Sequence, residues 1–441
     1  MSNKQDQIPQ LTLTYEALEE ILQKSLHTEA KFKTWHGEVM ADSQGMLSKL
    51  IRVSLTWEAS SGREKLPSSV VLKTPTRESI QELMEDLGRD GDIGSEVQEI
   101  MESTQNVEFN EHLSATYHNH ECALYAFVRG KEGELLLPKT YYIEPANEET
   151  GTKGLLVLED LKGRGTVLQP FETAELPLLK DLAGALARLH ALSLQDRSWL
   201  KEPNLVLNFA ERWLEFPDES MTAEVVGQAK GIAQRLMRQT DGLFKERAIA
   251  KYAQNTPATF EQAMREADRL VKSHKALGLP DVLCHGDMHA SNVFVTTDER
   301  GQQRLAVIID WQLAHAGSPA EDLGRLLCAS ADAGTRRERT HELLRCYFDA
   351  LRAQLGHDDK PPFDFGQLLE GYKSAAFKAG VLQVAPNMPF IVKSDKPFER
   401  AADKGAARER MLRNANSLWE ELVQLEDDGM VPWLEPAQLP N

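Results

Sequence analysis

The sequence predicts an α+β protein in which a mostly β first part, residues 1–160, gives way to a larger, mostly α-helical second part, residues 161–441. Three observations carry this. Short runs rich in β-branched residues crowd the first part, apolar residues recur at helical spacing through the second, and a brief β-rich interruption from Val282 to Asp310 breaks the helices.

Taken in order, Tyr15 to Leu26 reads as a short amphipathic helix. Leu47 to Trp57 reads as a strand through an imperfect alternation of Leu47, Leu50, Val53, Leu55 and Trp57. Ser68 to Pro75 is a second strand, with Val70, Val71 and Leu72 suited to a buried sheet and Pro75 ending it. Residues 76–128 are helix-like but interrupted by glycines at 88, 91 and 94, and strands are expected again over Leu135 to Glu144 and Gly154 to Leu158. From Ala174 to Leu194 the residues Leu179, Leu182, Ala183, Leu186 and Leu189 line one helix face. Further helices are expected near 219–247, 257–277, 318–331, 336–355, 364–382 and 398–426.

Composition bounds the function. The 441 residues carry 50 Lys plus Arg against 68 Asp plus Glu, a formal charge of -18, so the long-range field repels nucleic acid and anionic membranes alike. Residues 77–112 hold eleven acids against two arginines, half of that net charge, and read as a solvated helical excursion. Cys122, Cys284, Cys328 and Cys346 are scattered without C-x-x-C pairs, which suggests neither a disulfide framework nor a zinc site. The N-terminus MSNKQDQIPQ lacks the order of a signal peptide and no apolar run approaches the ~18 residues of a membrane span, so a cytoplasmic location is expected.

The chemistry concentrates in the β-rich interruption. His285-Gly286-Asp287-Met288-His289-Ala290-Ser291-Asn292 sets an Asp five residues before an Asn across a loop, and a following strand delivers Asp310 before Trp311. Phosphoryl transfer from a nucleotide needs this set. One carboxylate, Asp287, receives the proton of an acceptor hydroxyl, while a carboxamide and a second carboxylate, Asn292 and Asp310, offer oxygens to Mg²⁺ on the phosphates. The letters H-x-D-x-H also spell a hydrolase-type metal cluster, a competing reading.

In these segments the chain resembles the protein-kinase-like small-molecule kinases, specifically the ecdysteroid kinase-like and choline kinase-like group related to aminoglycoside phosphotransferases. The resemblance rests on QGMLSKLIRVSLTW, LPSSVVLKTP, YHNHECALYAF, LLVLEDL, LARLHAL, VLCHGDMHASNVFV and VIIDWQLAHAGSPAEDLGRLL, which run in the family's order from residue 44 to about 327. It implies a bilobal fold, with residues 1–160 a nucleotide-binding lobe built on a small antiparallel sheet with a helix, and 161–441 a catalytic and acceptor-binding lobe. It implies ATP and Mg²⁺ as cofactors and a small-molecule alcohol as acceptor.

Position by position, Lys73 resembles the phosphate-binding lysine and Glu121 the helix acid that pairs with it, with Glu111 and Glu108 as substitutes. Glu159 to Leu161 resembles the hinge that meets adenine, and Gly45 and Ser48 part of the loop over the phosphates. Asp322 resembles an Asp that braces the catalytic loop from a helix N-terminus. The chain departs from protein kinases in having no GxGxxG before its first strands and only twelve positions from Asp310 to Asp322, too few for a peptide-binding platform. The spacing favours a small acceptor, and the resemblance implies phosphorylation of a steroid alcohol, glycoside or other metabolite alcohol. Choline/ethanolamine-type or aminoglycoside-type transfer and a non-catalytic nucleotide-binding pseudokinase are the alternatives.

Overall fold

The computed structural model describes residues 3–40, 48–58, 66–76, 107–215, 222–240, 258–356, 361–392 and 395–427, together with residues 95, 99, 242, 246, 249 and 250. Contacts divide the chain into two compact units. The first comprises Met1–Glu82, Asn110–Arg164 and Val307–Gln312, the second Leu83–Phe109, Gly165–Ala306 and Leu313–Asn441.

In the first unit, helix α1 (Tyr15–Leu26) starts where Thr14 Oγ1 accepts the Ala17 N–H at 3.2 Å and stops where His27 turns left-handed. Strands β1 (Phe32–Val39), β2 (Ser48–Trp57), β3 (Ser69–Pro75), β4 (Thr140–Glu144) and β5 (Leu155–Glu159) form one sheet in the order β1-β2-β3-β5-β4, every neighbour antiparallel. Strand alternation then sorts the side chains. Ile51, Val53, Val70, Leu72 and Val157 point to one face and pack with Leu18 and Leu22 of α1. Each fully buried aliphatic chain of this cluster contributes roughly 1.5–3 kcal/mol over an exposed one. Lys73 follows Leu72 and so takes the other face, where it stays buried, opposite Leu156 in the ladder.

Helix α2 (Val107–Phe127) begins within the acidic stretch 77–112, whose earlier residues, 95 and 99 apart, fall outside the described ones. The strand expected over Leu135 to Glu144 is shorter than its apolar run suggests. Glu132–Leu135 is a helical turn closed by left-handed Leu136, and pairing begins only at Thr140.

The second unit is mostly helical. It contains β6 (Thr166–Val167), α3 (Leu176–Gln195), α4 (Ala223–Arg238), α5 (Phe260–Lys272), β7 (Val282–Cys284), β8 (Val293–Thr297), all but the last two residues of β9 (Gln303–Ile308), and β10 (His315–Gly317). Helices α6 (Glu321–Ser330), α7 (Ala333–Leu355), α8 (Phe365–Val392) and α9 (Lys404–Asp427) complete it. The apolar face expected on α3 is the buried one, and α7 packs along it. Helices α6 and α8 cross closely because Gly324 lacks a side chain: a Cβ there would lie 2.8 Å from the Ala375 carbonyl carbon. One unit built on a five-stranded antiparallel sheet and another that is mostly helical give the α+β class expected from the sequence.

Candidate functional site

In the first unit three ionic side chains from distant parts of the chain converge. Lys73 near the end of β3 places its Nζ 2.5 Å from Glu121 Oε2 on α2 and 2.7 Å from Asp310 Oδ1. Glu121 is thus the partner of Lys73, whereas Glu111 is exposed and the Glu108 side chain lies outside the described residues. Burial penalises the ammonium, but Asp310 and Glu121 outweigh it and hold the Lys73 pKa above the usual lysine value. Burial likewise pushes Glu121 upward, against the pull of Lys73. Two carboxylates around one ammonium leave an excess of negative charge, with oxygen donors of the kind a hard divalent cation takes.

Asp310 adopts a left-handed conformation, φ 65°, a strained state for a residue with a side chain that Asp tolerates better than most. Its neighbours hold it there. The Ile308 N–H donates to the Leu136 carbonyl at 2.7 Å, and buried Trp311 donates its indole N–H to the Ile308 carbonyl at 3.3 Å.

Behind this cluster, His118 ties α2 to the sheet by donating from Nε2 to the Glu144 carbonyl at 3.0 Å. Burial, opposed by that bond and reinforced by Lys73, depresses its pKa to about 4. At the end of β5, Glu159 accepts the Lys139 N–H and the Arg164 guanidinium, and the Leu161 side chain is buried. Asp160 between them is fixed by Arg52 at 2.9 Å and Ser69 at 2.7 Å, an anchor the sequence did not single out. Ser48 is the buried first residue of β2, opposite Pro75, while Gly45 lies outside the described residues.

In the second unit the loop between β7 and β8 carries Asp287. Its backbone is held from below by buried Asp322, whose two carboxylate oxygens accept the N–H groups of His285 at 2.7 Å and Gly286 at 2.9 Å. Asp322 sits in the first turn of α6, where the helix dipole favours a carboxylate. Gly286 needs φ +84°, and a Cβ there would meet the Leu313 carbonyl oxygen at 2.2 Å, so only glycine serves.

The Asp287 carboxylate itself is held on both sides. Arg325, one turn after Asp322 on the same helix, donates from Nε at 3.0 Å and Nη2 at 2.7 Å to Oδ1. His289 Nε2 lies 3.3 Å from Oδ2. Although burial raises its pKa, His289 and Arg325 outweigh it and hold Asp287 well below the usual carboxylate range. Asn292 donates from Nδ2 to the Asp287 carbonyl at 3.0 Å, which leaves its carboxamide oxygen as the acceptor end. Sequence reasoning missed Arg325, although the spacing Asp322-x-x-Arg325 puts both side chains on one helix face.

His285 and His289 do not join Asp287 as a metal cluster. Each Nδ1 accepts a backbone N–H, from Asp287 and Ser291 respectively, both at 3.2 Å. Among the described residues the one trio of converging metal-type donors is His190, Cys284 and Asp322, fully buried, and both Asp322 oxygens there are taken by the loop amides. His190 lies in the core with Nδ1 2.7 Å from the Tyr347 hydroxyl.

Comparison with known proteins finds relatives in Caenorhabditis elegans. The chain is 23% identical to "Uncharacterized oxidoreductase dhs-27" over 359 residues, 79% of this chain and 38% of that protein. It is 34% identical to "Uncharacterized kinase-like protein D1044.1" over 103 residues, 23% of this chain and 26% of that one. The chain thus spans well under two thirds of either relative. Among solved structures it is similar to the Plasmodium vivax ethanolamine kinase Pv091845, with TM-score 0.42 and 12% identity over 90% of this chain and 83% of that one. It is also similar to the microcompartment-associated aminopropanol kinase, with TM-score 0.38 and 12% identity over 93% and 98% of the two chains. A family model described as "DUF1679: Uncharacterized oxidoreductase dhs-27" matches residues 3–429. As that match takes in almost the whole chain, the protein belongs to the DUF1679 family.

Proposed function

We propose that the chain is a phosphotransferase that moves the terminal phosphoryl group of ATP to a hydroxyl of a small molecule. The observation that carries this reading is the convergence of buried Lys73 and Glu121 with half-buried Asp310, drawn from three remote stretches of sequence. A cationic group held at a fixed point between two carboxylates suits a polyphosphate accompanied by a divalent ion.

Lys73 would bind the phosphates, with Glu121 fixing its ammonium. Asp310 and Asn292 would hold Mg²⁺, which when bound neutralises phosphate charge. Asp287 would orient the acceptor hydroxyl and take its proton as the acceptor oxygen bonds to the γ-phosphorus, the bond to the bridging oxygen breaks and ADP leaves. His289 is excluded as the base in its neutral form, because Nδ1 accepts the Ser291 N–H and the remaining proton lies on the nitrogen facing Asp287. The backbone of Glu159 to Leu161 would meet the adenine, and Ser48 with Gly45 the phosphates.

The twelve positions from Asp310 to Asp322 favour a small acceptor over a peptide. The ecdysteroid kinase-like spelling of the motifs points to steroid alcohols, glycosides or other metabolite alcohols, and the scattered cysteines to the cytoplasm. No helix among the described residues is long and apolar enough to cross a membrane. The word oxidoreductase belongs to the name of a relative most of which lies outside the match. Among the described residues the ladders β1–β2, β2–β3, β3–β5, β4–β5, β6–β8 and β7–β10 are antiparallel, unlike the parallel βαβ unit that binds dinucleotides.

The test is ATP turnover with a panel of alcohols, products identified by mass. Phosphorylation that is lost in Asp287→Asn supports the reading. Nucleotide binding with no transfer to any acceptor would favour a non-catalytic nucleotide-binding protein.

A further inference from the structure

We infer that Arg325 is a specificity-determining residue that sets the acceptor end of the loop against cations, so that the preferred hydroxyl belongs to an uncharged molecule. The inference rests on the phosphotransferase reading above and adds the charge class of its acceptor.

A carboxylate oxygen has two lone-pair directions. On Asp287 Oδ1 both face the one guanidinium, since Nε and Nη2 of Arg325 reach it at 3.0 and 2.7 Å. An acceptor hydroxyl is left with Oδ2, whose neighbours, His289 Nε2 at 3.3 Å and Asn292 Nδ2 at 3.5 Å, stand farther off than the guanidinium does from Oδ1. The hydroxyl can be oriented there, because it needs only a hydrogen-bond acceptor. An ammonium carried a few bonds from that hydroxyl meets a different field. The charge of Asp287 is already matched by Arg325, and the guanidinium repels a second cation placed beside it.

The neighbouring carboxylates do not restore the attraction. Glu321 is paired with Lys378 at 2.8 Å and faces His315 Nε2 at 3.4 Å. Asp322 is fully buried and takes the two loop N–H groups. Thus all three acidic side chains at the loop and the first turn of α6 are engaged within the second unit. The formal charge of -18 would draw cations toward the protein at long range, but this local pairing cancels that preference where an acceptor reacts. Arg325 and Asp287 keep 21% and 24% of their side-chain surface exposed, so solvent screens the repulsion and the expected discrimination is about tenfold rather than thousands.

The experiment compares choline with its uncharged carbon isostere, in which a tert-butyl group replaces the trimethylammonium, and larger pairs built the same way. Transfer from ATP is measured with the wild type, Arg325→Gln and Arg325→Lys. The wild type is expected to favour the uncharged member by about tenfold or more in kcat/KM. Arg325→Gln should bring that ratio close to one or below, and Arg325→Lys, which keeps the charge, should preserve it. Thermal melts of both variants show whether they fold, and Arg325→Lys decides the matter if the glutamine variant does not. A wild type that prefers the cation overturns the inference alone. So does a ratio that stays fixed in Arg325→Gln while turnover falls, the mark of a purely structural role. No transfer to any member of any pair removes the phosphotransferase reading and this inference with it.

Discussion

Acidification should loosen the helix that carries Glu121, through His118. This imidazole is buried, holds the Glu144 carbonyl through Nε2–H and has its pKa depressed to about 4, chiefly by desolvation. An unfolded histidine titrates near 6.5. The folded state therefore binds fewer protons than the unfolded one between those values, so stability rises with pH across the window. The contribution is fully present above about pH 6.5 and is lost as pH falls toward 4. A difference of about 2.5 units at ~1.4 kcal/mol each gives about 3.4 kcal/mol in full, of which about 3 kcal/mol is gone at pH 4.

The carboxylates of the chain titrate over part of the same range, so wild type alone cannot isolate the effect. His118→Gln can. Its amide retains a donor for the Glu144 carbonyl but cannot be protonated. Urea unfolding of both proteins at pH 7, 5.5 and 4 should show the variant about 1 kcal/mol less stable at neutral pH, from imperfect packing. At pH 4 it should be the more stable of the two by about 2 kcal/mol. Parallel pH profiles of the two proteins would refute the argument, because they would mean that His118 titrates alike folded and unfolded.

Four further outcomes follow from the geometry. Lys73→Met leaves Glu121 buried without its cation and should cost about 3–5 kcal/mol by denaturant unfolding, as removal of one partner from a buried pair does. Asp287→Asn should lower kcat by 10²–10⁴-fold, roughly the contribution of a positioned base, while leaving ATP affinity measured by calorimetry within about threefold. Gly286→Ala forces a side chain into a φ of +84° against the Leu313 carbonyl, and differential scanning calorimetry should show a loss of at least about 2 kcal/mol. Chelation of divalent ions should abolish transfer, and added Mg²⁺ should restore it, whereas a full rate in excess chelator would remove Asn292 and Asp310 from the roles proposed for them.

What the sequence disclosed and what it concealed have physical causes. Strands β2, β3 and β5 were legible because buried β-branched and leucine runs end at Pro75 or begin after Gly154. Strand β1 was not: its ladder with β2 shifts register between Phe32 and Thr34, and such an irregularity destroys the alternation that reveals a strand. The run Leu135-Leu136-Leu137 misled for another reason. A short apolar run has no period, and here it forms the end of a helical turn with Leu136 left-handed. Glu121 was resolved from Glu111 only by folding, since the stretch between Lys73 and α2 has no repeat that fixes the register of the helix face.

The loop shows most clearly why the chemistry was readable and its tuning was not. Asp287, Asn292 and Asp310 follow one another at short spacing, so their order survives in one dimension. Arg325 reaches Asp287 only because Asp322, three residues earlier, has already fastened the loop backbone to the same face of α6. A helix brings residues three apart together, but nothing in its sequence says what the face will meet. Asp322 and Arg325 thus act in series: the first fixes where the carboxylate stands, and the second fixes the charge that an incoming alcohol encounters there. A change at Asp322 should therefore disturb both position and charge preference, whereas a change at Arg325 should disturb the second far more than the first.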